Sequence, residues 1–134
     1  MKTKVAAVMC PAWSLETPPL SLGLIAGSLK EKGRKCEQFH INLLSADHVD
    51  KETQEELWAP TGHFFWTNDH SFEDRIVPAY REYWDEIIDE LATFDIVTFT
   101  VYFSNVVVKS KSTYSLWRSL LLERTKRWFI SIKT

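Results

Sequence analysis

Short apolar runs alternate with longer amphipathic stretches along this chain. The apolar runs have the length and composition of strands buried in a parallel sheet. The amphipathic stretches repeat apolar residues every three or four positions, as helices do. This alternation predicts a Rossmann-like or flavodoxin-like doubly wound three-layer α/β/α fold with a mostly parallel sheet. The predicted strands are residues 4–10, 36–41, 96–103 and 128–132, and the predicted helices are residues 20–32, 78–92 and 112–126.

The stretch from residue 45 to residue 73 shows no sustained period, and we expect it to be the least regular part of the fold. A short acidic helix within residues 45–57 is left open, and residues 59–62 predict a turn. The aromatic run 63–66 is expected in a loop that packs over the sheet or against a partner. Ser71 and Asp74 form the S-x-x-D pattern that can begin a helix.

The size of the chain indicates one domain spanning residues 1–134. Its 134 residues are 45% hydrophobic and 13% aromatic, enough for a single core. Cys10 and Cys36 do not form a C-x-x-C motif, so we expect two free thiols in a reducing cytoplasm. No secretory signal is seen, and no apolar run reaches the ~18 residues that a membrane span needs.

Charge is divided unevenly between two segments. Residues 1–108 carry nine Lys and Arg against seventeen Asp and Glu, whereas residues 109–134 carry seven against one. The overall net charge of −2 gives no general attraction for nucleic acid. The basic segment 109–134 is either an interaction tail or an amphipathic helix on the surface.

Ligands of doubly wound folds bind beyond the carboxyl ends of the strands, so three loops are expected at the ligand edge. These loops are residues 11–19, 43–48 and 103–107. No glycine-rich phosphate-binding motif occurs, which argues against nucleotide binding through the usual loops. Trp13 is expected either to cover a flat ligand or only to plug the sheet edge.

The first strand, loop and helix resemble the cobalamin (B12)-binding domain that precedes the barrel of radical S-adenosylmethionine (SAM) proteins. The resemblance rests on the apolar strand, on the segment Pro-Pro-Leu-Ser-Leu-Gly at 18–23, and on the helix that ends at Gly33. Residues 95–102 resemble the third strand of that family. The resemblance implies a cofactor site at the carboxyl edge of the sheet, for which the candidate residues are Trp13, Ser14, Thr17, Ser21, Gly23, Thr100, Tyr102, Ser104 and Asn105.

The chain departs from the family's pattern at several points. Family members that bind cobalt through a histidine carry D-x-H-x-x-G in the first loop, and here Pro18 and Leu20 occupy the Asp and His positions. No glycine follows Gly62, so the family's later Gly-Gly turn is missing or altered. Cobalamin is therefore expected without a histidine ligand, or at a degenerate site.

No C-x-x-x-C-x-x-C cluster motif is present, so the chain is not expected to catalyse radical SAM chemistry alone. SAM and a [4Fe–4S] cluster would belong to a parent protein, whose barrel is the expected partner. The resemblance fades after Val108, and the domain is expected to be one strand short at its C-terminus.

Two other functions remain open. A cofactor-free interaction domain would self-associate through the aromatic patch or the C-terminal strand, weakened by Trp117→Ala or Trp128→Ala. A flavin protein would use Ser14 and Thr17, although three prolines remove backbone donors from that loop.

The histidines and one acidic helix face are expected to be solvated rather than functional, because neither has the spacing of a metal or acid–base site. These residues are His40, His48, His63 and His70, and Asp85, Glu86, Asp89 and Glu90.

Overall fold

A computed structural model describes residues 3–17, 19–101, 113–125 and 130–133. The fold is mixed α/β and is built on an open parallel sheet with strand order β2-β1-β3-β4. The strands are β1 (Val5–Met9), β2 (Cys36–His40), β3 (Ile96–Val101) and β4 (Ile130–Lys133). The main helices are α1 (Leu20–Glu31), α2 (Ile41–His48), α3 (Lys51–Trp58), α4 (His63–Thr67), α5 (Asp69–Ser71), α6 (Val77–Leu91) and α7 (Thr113–Thr125).

Strand β1 is the centre of the sheet and is buried along its whole length. It pairs with β2 on one side and with β3 on the other, and Met9 is level with both His40 and Thr100. A strand buried on both faces must be apolar throughout, which is why residues 4–10 predicted it so closely.

Helices cover both faces of the sheet. On one face, Ala7 and Met9 pack with Leu22 of α1. On the other face, Ala6 and Val8 join a larger core to which α6 and α7 contribute. The alternation of side chains along β1 produces this division, because successive residues of a strand point to opposite faces.

Helix α1 begins and ends within one residue of the sequence prediction. Gly33 follows it with φ of 72°. The Gly33 N–H donates to the Lys30 carbonyl at 3.0 Å and the Arg34 N–H donates to the Leu29 carbonyl at 2.8 Å. This pair of bonds is the Schellman arrangement, in which glycine is favoured at the left-handed position.

The stretch between residues 45 and 73 is more helical than predicted, although the acidic helix left open within residues 45–57 is present as α3 and the predicted turn at 59–62 coincides with a 3₁₀ turn. Residues 41–76 form a series of short helices, with a 3₁₀ turn at Pro60–Gly62 and a π-helical segment at Phe72–Ile76 that leads directly into α6. The predicted loop at 43–48 is therefore α2, and the aromatic run 63–66 lies within α4. Side chains of His40, Asp50 and Asn68 accept the N–H bonds that begin three of these helices.

Helices α6 and α7 pack against each other on the larger core. Helix α6 buries an apolar face made of Tyr80, Trp84, Ile87, Ile88 and Leu91, and Tyr83 beside it is half-buried. In α7, Trp117 is fully buried and its ring lies 5.6 Å from that of Trp84. Trp117 is therefore a core residue, so Trp117→Ala would test core packing rather than an exposed surface.

The sequence predicted that the acidic face of α6 is solvated. In the structure, part of this face is paired with α7. Arg124 of α7 donates to Asp89 at 2.6 Å and to Asp85 at 2.9 Å. The two helices are thereby joined at the surface as well as through the core. In the described part of the chain, no helix is both long enough and apolar enough to cross a membrane.

Candidate functional site

The carboxyl ends of β1, β2 and β3 lie side by side, and the segments that follow them form one edge of the fold. Met9, His40 and Thr100 mark this edge, because they occupy the same level of the sheet. In open parallel sheets this edge is where ligands bind, particularly where neighbouring connections leave in opposite directions. The connections from β1 to β2 and from β2 to β3 do so here, because β2 and β3 flank β1.

Asn42 fixes the first loop at this edge. Its side chain is fully buried, and its Oδ1 accepts a hydrogen bond from the Trp13 N–H at 2.9 Å. Its Nδ2 donates to the Trp13 carbonyl at 2.9 Å. Oδ1 also accepts from the indole Nε1–H of Trp58 at 2.9 Å. One amide therefore joins the loop after β1, the start of α2 and the end of α3.

A cavity of about 350 Å³ opens between the first loop and the end of α3. This volume lies within the range of small-molecule sites in proteins. The walls are mostly aromatic and aliphatic, with the Ser14 side chain and the His63 imidazole as polar groups. The lining residues are Ala12, Trp13, Ser14, Leu57, Trp58, Ala59, Pro60, His63 and Trp66.

Gly62 allows the chain to bring α4 back over α3. A Cβ atom at Gly62 would collide with the backbone carbonyl groups of Glu56 and Leu57. Trp66 then reaches under α3, where its Nε1–H donates to the Leu57 carbonyl at 2.8 Å. Its ring meets that of Trp58 edge to face at 5.0 Å. This packing forms the rigid aromatic wall of the cavity.

Two titratable groups at the edge are held neutral. Burial raises the pKa of the Cys10 thiol, so it is a poor nucleophile. Burial also lowers the pKa of His40, whose Nδ1 accepts the Leu43 N–H at 3.2 Å. Among the described residues no group of three or more His, Cys, Asp or Glu side chains is arranged to hold a metal ion.

Two of the candidate site residues carry buried hydroxyl groups that have no hydrogen-bond partner among the described residues. They are Ser21, in the first turn of α1, and Thr100, near the carboxyl end of β3. A buried polar group without a partner is rare in folded proteins, since it costs about 1–3 kcal/mol. Such groups at a ligand edge are potential contacts for a polar ligand or an ordered water.

The other candidate residues have different surroundings. The Ser14 hydroxyl accepts bonds from the Glu16 and Thr17 N–H groups at 3.2 and 3.3 Å, so it is engaged within its own loop. Thr17 is exposed, and Gly23 lies on the exposed side of α1 with open space around it. Tyr102, Ser104, Asn105 and the predicted loop 103–107 lie outside the described residues.

Sequence reasoning missed Asn42, Trp58 and His63 as parts of this site. Asn42 directly follows the predicted strand 36–41. A small polar residue at the carboxyl end of a parallel strand can indicate the ligand edge, so this residue could have been found from the sequence. Trp58 and His63 carry no such signal, because their positions depend on how the short helices fold back.

A substitution at Thr100 tests whether its hydroxyl is without a partner. We expect Thr100→Val to raise the free energy of unfolding by about 1 kcal/mol, because the variant keeps the shape and removes the polar group. Thr98→Val is the matched control on the same strand. The Thr98 hydroxyl donates to the Ala6 carbonyl at 3.3 Å, so this variant is expected to lose stability. Equal losses in urea denaturation of the two variants would contradict the assignment.

Comparison of the chain with protein-family models, with curated proteins and with solved structures finds no match.

Proposed function

We propose that this chain is a cofactor-binding module with a Rossmann-like, flavodoxin-like fold, related to the B12-binding domains that precede radical SAM barrels. It would hold a corrinoid at the carboxyl edge of the sheet without a protein ligand to cobalt. The observation that carries the proposal is the aromatic cavity of about 350 Å³, because it adjoins the loop on which the resemblance depends. A radical SAM barrel in a parent protein is the proposed partner.

The chemistry of the edge supports a ligand with a flat apolar face. Trp13 and Trp58 line the cavity with aromatic surface, whereas the unpartnered Ser21 and Thr100 hydroxyls are buried and do not line it. The cavity is smaller than a whole corrinoid, so it would take only an edge or one side arm of the ring. The rest of the ligand would lie over the first loop.

The residues present do not fit a histidine-ligated cobalamin. Leu20, at the position that the resemblance assigns to the histidine, begins α1 with an aliphatic side chain that is 73% exposed. Leu24, one turn later, is 60% exposed. These side chains would offer the lower face of a corrinoid apolar contact and no donor atom. A corrinoid would supply cobalt-centred group transfer, while this chain would contribute binding and orientation.

The direct test mixes the full chain with hydroxocobalamin and follows the corrin absorbance through gel filtration. We expect corrin to elute with the protein, because the ligand edge retains its aromatic wall and loop. The visible spectrum of the bound corrinoid should remain that of the form without a protein imidazole. Loss of all corrin from the protein peak would exclude cobalamin binding by this chain.

A pair of histidine variants tests the absence of a cobalt ligand. His63 lines the cavity, whereas His70 is exposed on α5 and pairs with Asp74 at 3.0 Å. We expect His63→Leu and His70→Leu to leave the spectrum of the bound corrinoid unchanged. A spectral change confined to His63→Leu would show that His63 binds cobalt and would contradict the ligand-free arrangement.

The second candidate function is a cofactor-free interaction domain, favoured by the outer face of α1. Leu20 and Leu24 are exposed there beside Gly23 and Gly27, and the space around both glycines is open. Exposed apolar helix faces often mark contacts between domains. The same gel filtration distinguishes the functions. Earlier elution at higher protein concentration, without bound corrin, supports the interaction domain.

A further inference from the structure

A second cleft lies at the opposite edge of the sheet, where β1 and β2 begin. Its volume is about 490 Å³, which is again within the range of small-molecule sites. Val5 and Phe94 form the buried floor of the cleft, and basic side chains from two segments contribute charge. The lining residues are Thr3, Lys4, Val5, Lys32, Gly33, Arg34, Lys35, Glu37 and Phe94.

The cations of this cleft differ from several others in the body of the domain. Lys51, Arg75 and Arg81 each lie within 4.0 Å of a carboxylate oxygen. Within the described residues, no such ion pair is formed by the cleft cations, which are Lys4, Lys32, Arg34 and Lys35.

The cleft therefore carries a local excess of positive charge, although residues 1–108 as a whole carry eight more acidic than basic side chains. The Lys4 backbone N–H donates to Asp95 Oδ2 at 2.8 Å, whereas its ammonium group lies 4.8 Å from the centre of the Phe94 ring. Glu37 is the one acidic residue among those that line the cleft.

The helix dipole explains only part of this cluster. Lys32 stands at the C-terminal cap of α1, where the partial negative charge of the helix favours a cation. Arg34 and Lys35 lie beyond the helix, and the dipole's effect falls off within the last turn. The Schellman turn at Gly33 fixes the backbone on which they stand. The fold thus presents these two cations at the cleft without pairing them.

We propose that this amino-edge cleft binds the phosphate group of a small phosphorylated molecule. A phosphate dianion matches several converging cations, and the planar guanidinium of Arg34 is suited to two parallel bonds with phosphate oxygens. Most of the accessible wall of the cleft is apolar and would contact the body of the ligand, although Val5 and Phe94 themselves are nearly fully buried. The concave shape favours a small ligand over an extended polyanion. This site is separate from the corrinoid site proposed at the carboxyl edge.

The test titrates inorganic phosphate, pyrophosphate and AMP into the full ¹⁵N-labelled chain and follows the backbone amide signals. We expect the amides of Lys32 to Lys35 to shift and AMP to bind more tightly than inorganic phosphate, because only AMP has a body for the apolar surface. The double variant Arg34→Gln/Lys35→Gln is expected to weaken AMP binding at least about tenfold, since bonds to charged groups are lost. The control Lys51→Gln/Arg75→Gln removes the same charge elsewhere and should change the affinity by less than about twofold.

Three results would overturn this proposal. They are no amide shifts at millimolar ligand, an equal loss of affinity in the control double variant, or tighter binding of an oligoglutamate peptide than of AMP. The last result would indicate an acidic protein partner. Corrinoid binding is read independently, and Arg34→Gln/Lys35→Gln should leave it unchanged, so that failure of one proposal does not imply failure of the other.

Discussion

Replacing Asn42 with alanine is expected to lower the free energy of unfolding by about 3 kcal/mol and to release the first loop from the sheet edge. The estimate counts three short hydrogen bonds at about 1 kcal/mol each, which is typical of the net contribution of such a bond. The bonds lost are those from the Trp13 N–H, to the Trp13 carbonyl and from the Trp58 indole.

The consequence for the candidate site follows from which elements these bonds join. Trp13 and Trp58 belong to opposite walls of the carboxyl-edge cavity, and Asn42 is bonded to both. Without the amide, the first loop and the end of α3 lose the hydrogen bonds that join them to each other. Corrinoid retention on gel filtration should therefore fall with the stability, and hydrogen exchange at the Trp13 amide should become faster.

Asn68→Ala is the matched control for this prediction. The Asn68 side chain accepts the Ser71 N–H at 3.1 Å at an exposed helix start, and loss of such a cap costs about 1 kcal/mol. Asn42→Asp adds a second comparison, because it keeps the acceptor oxygens but cannot donate to the Trp13 carbonyl and places a charge in a buried position. If Asn42→Ala costs no more than Asn68→Ala, the amide does not hold the site together.

The sequence predicted the elements whose stability comes from a long, regular pattern. Strand β1 is apolar at every position because it is buried on both faces, and α6 repeats its apolar residues over fifteen residues. A pattern sustained over so many residues is compatible with only one type of secondary structure that buries the apolar side chains. The parallel sheet and the boundaries of α1 and α6 could be read in this way to within about two residues.

The stretch from residue 41 to residue 76 could not be predicted by the same means. Its helices contain three to eight residues, which is too short for a period to be recognised. Isolated helices of this length are unstable in water, so these depend on caps and on packing against the core. The candidate cavity is built from this stretch, which explains why the first loop was expected at the site but its aromatic wall was not.

Polar contacts between residues far apart in the chain also could not be predicted from the sequence. Nothing in the local pattern joins Asn42 to Trp13, twenty-nine positions earlier, or Arg124 to Asp89, thirty-five positions earlier. The charge pattern did indicate a change of sign near the C-terminus. It did not indicate that Arg124 would neutralise part of the acidic face of α6.

The largest single effect on stability is expected at Trp84, where alanine should cost about 3–5 kcal/mol of unfolding free energy. Trp84 is fully buried, stacks on Tyr80 with ring centres 4.9 Å apart, and donates its Nε1–H to the Ser45 hydroxyl at 2.9 Å. A domain of this kind is stable by about 5–15 kcal/mol in total, so the variant should be close to unfolding at moderate temperature. Urea denaturation monitored by circular dichroism measures the loss.

Two comparisons separate the contributions of Trp84. Trp84→Phe keeps an aromatic ring on Tyr80 but loses the bond to Ser45 and part of the buried ring volume, so it should cost less than Trp84→Ala. Trp58→Ala truncates a half-buried ring of the same aromatic cluster and is likewise expected to cost less. A cost for Trp84→Ala equal to or below that of Trp58→Ala would contradict the assignment of Trp84 to the centre of the core.

So large an effect is expected because Trp84 joins two helices, α2 and α6, that both lie in the connection between β2 and β3. Ser45 of α2 receives the Trp84 Nε1–H, and its carbonyl receives the Tyr80 hydroxyl at 2.8 Å. Both donors belong to α6, and burial raises the pKa of Tyr80, which keeps its phenol protonated as a donor. Helix α2 also carries Asn42, which bonds both Trp13 and Trp58. Loss of the Trp84 ring should therefore make the position of Asn42 at the candidate site less fixed. Trp84→Ala is therefore expected to reduce corrinoid retention even under conditions in which the chain stays folded, whereas Trp84→Phe should largely preserve it.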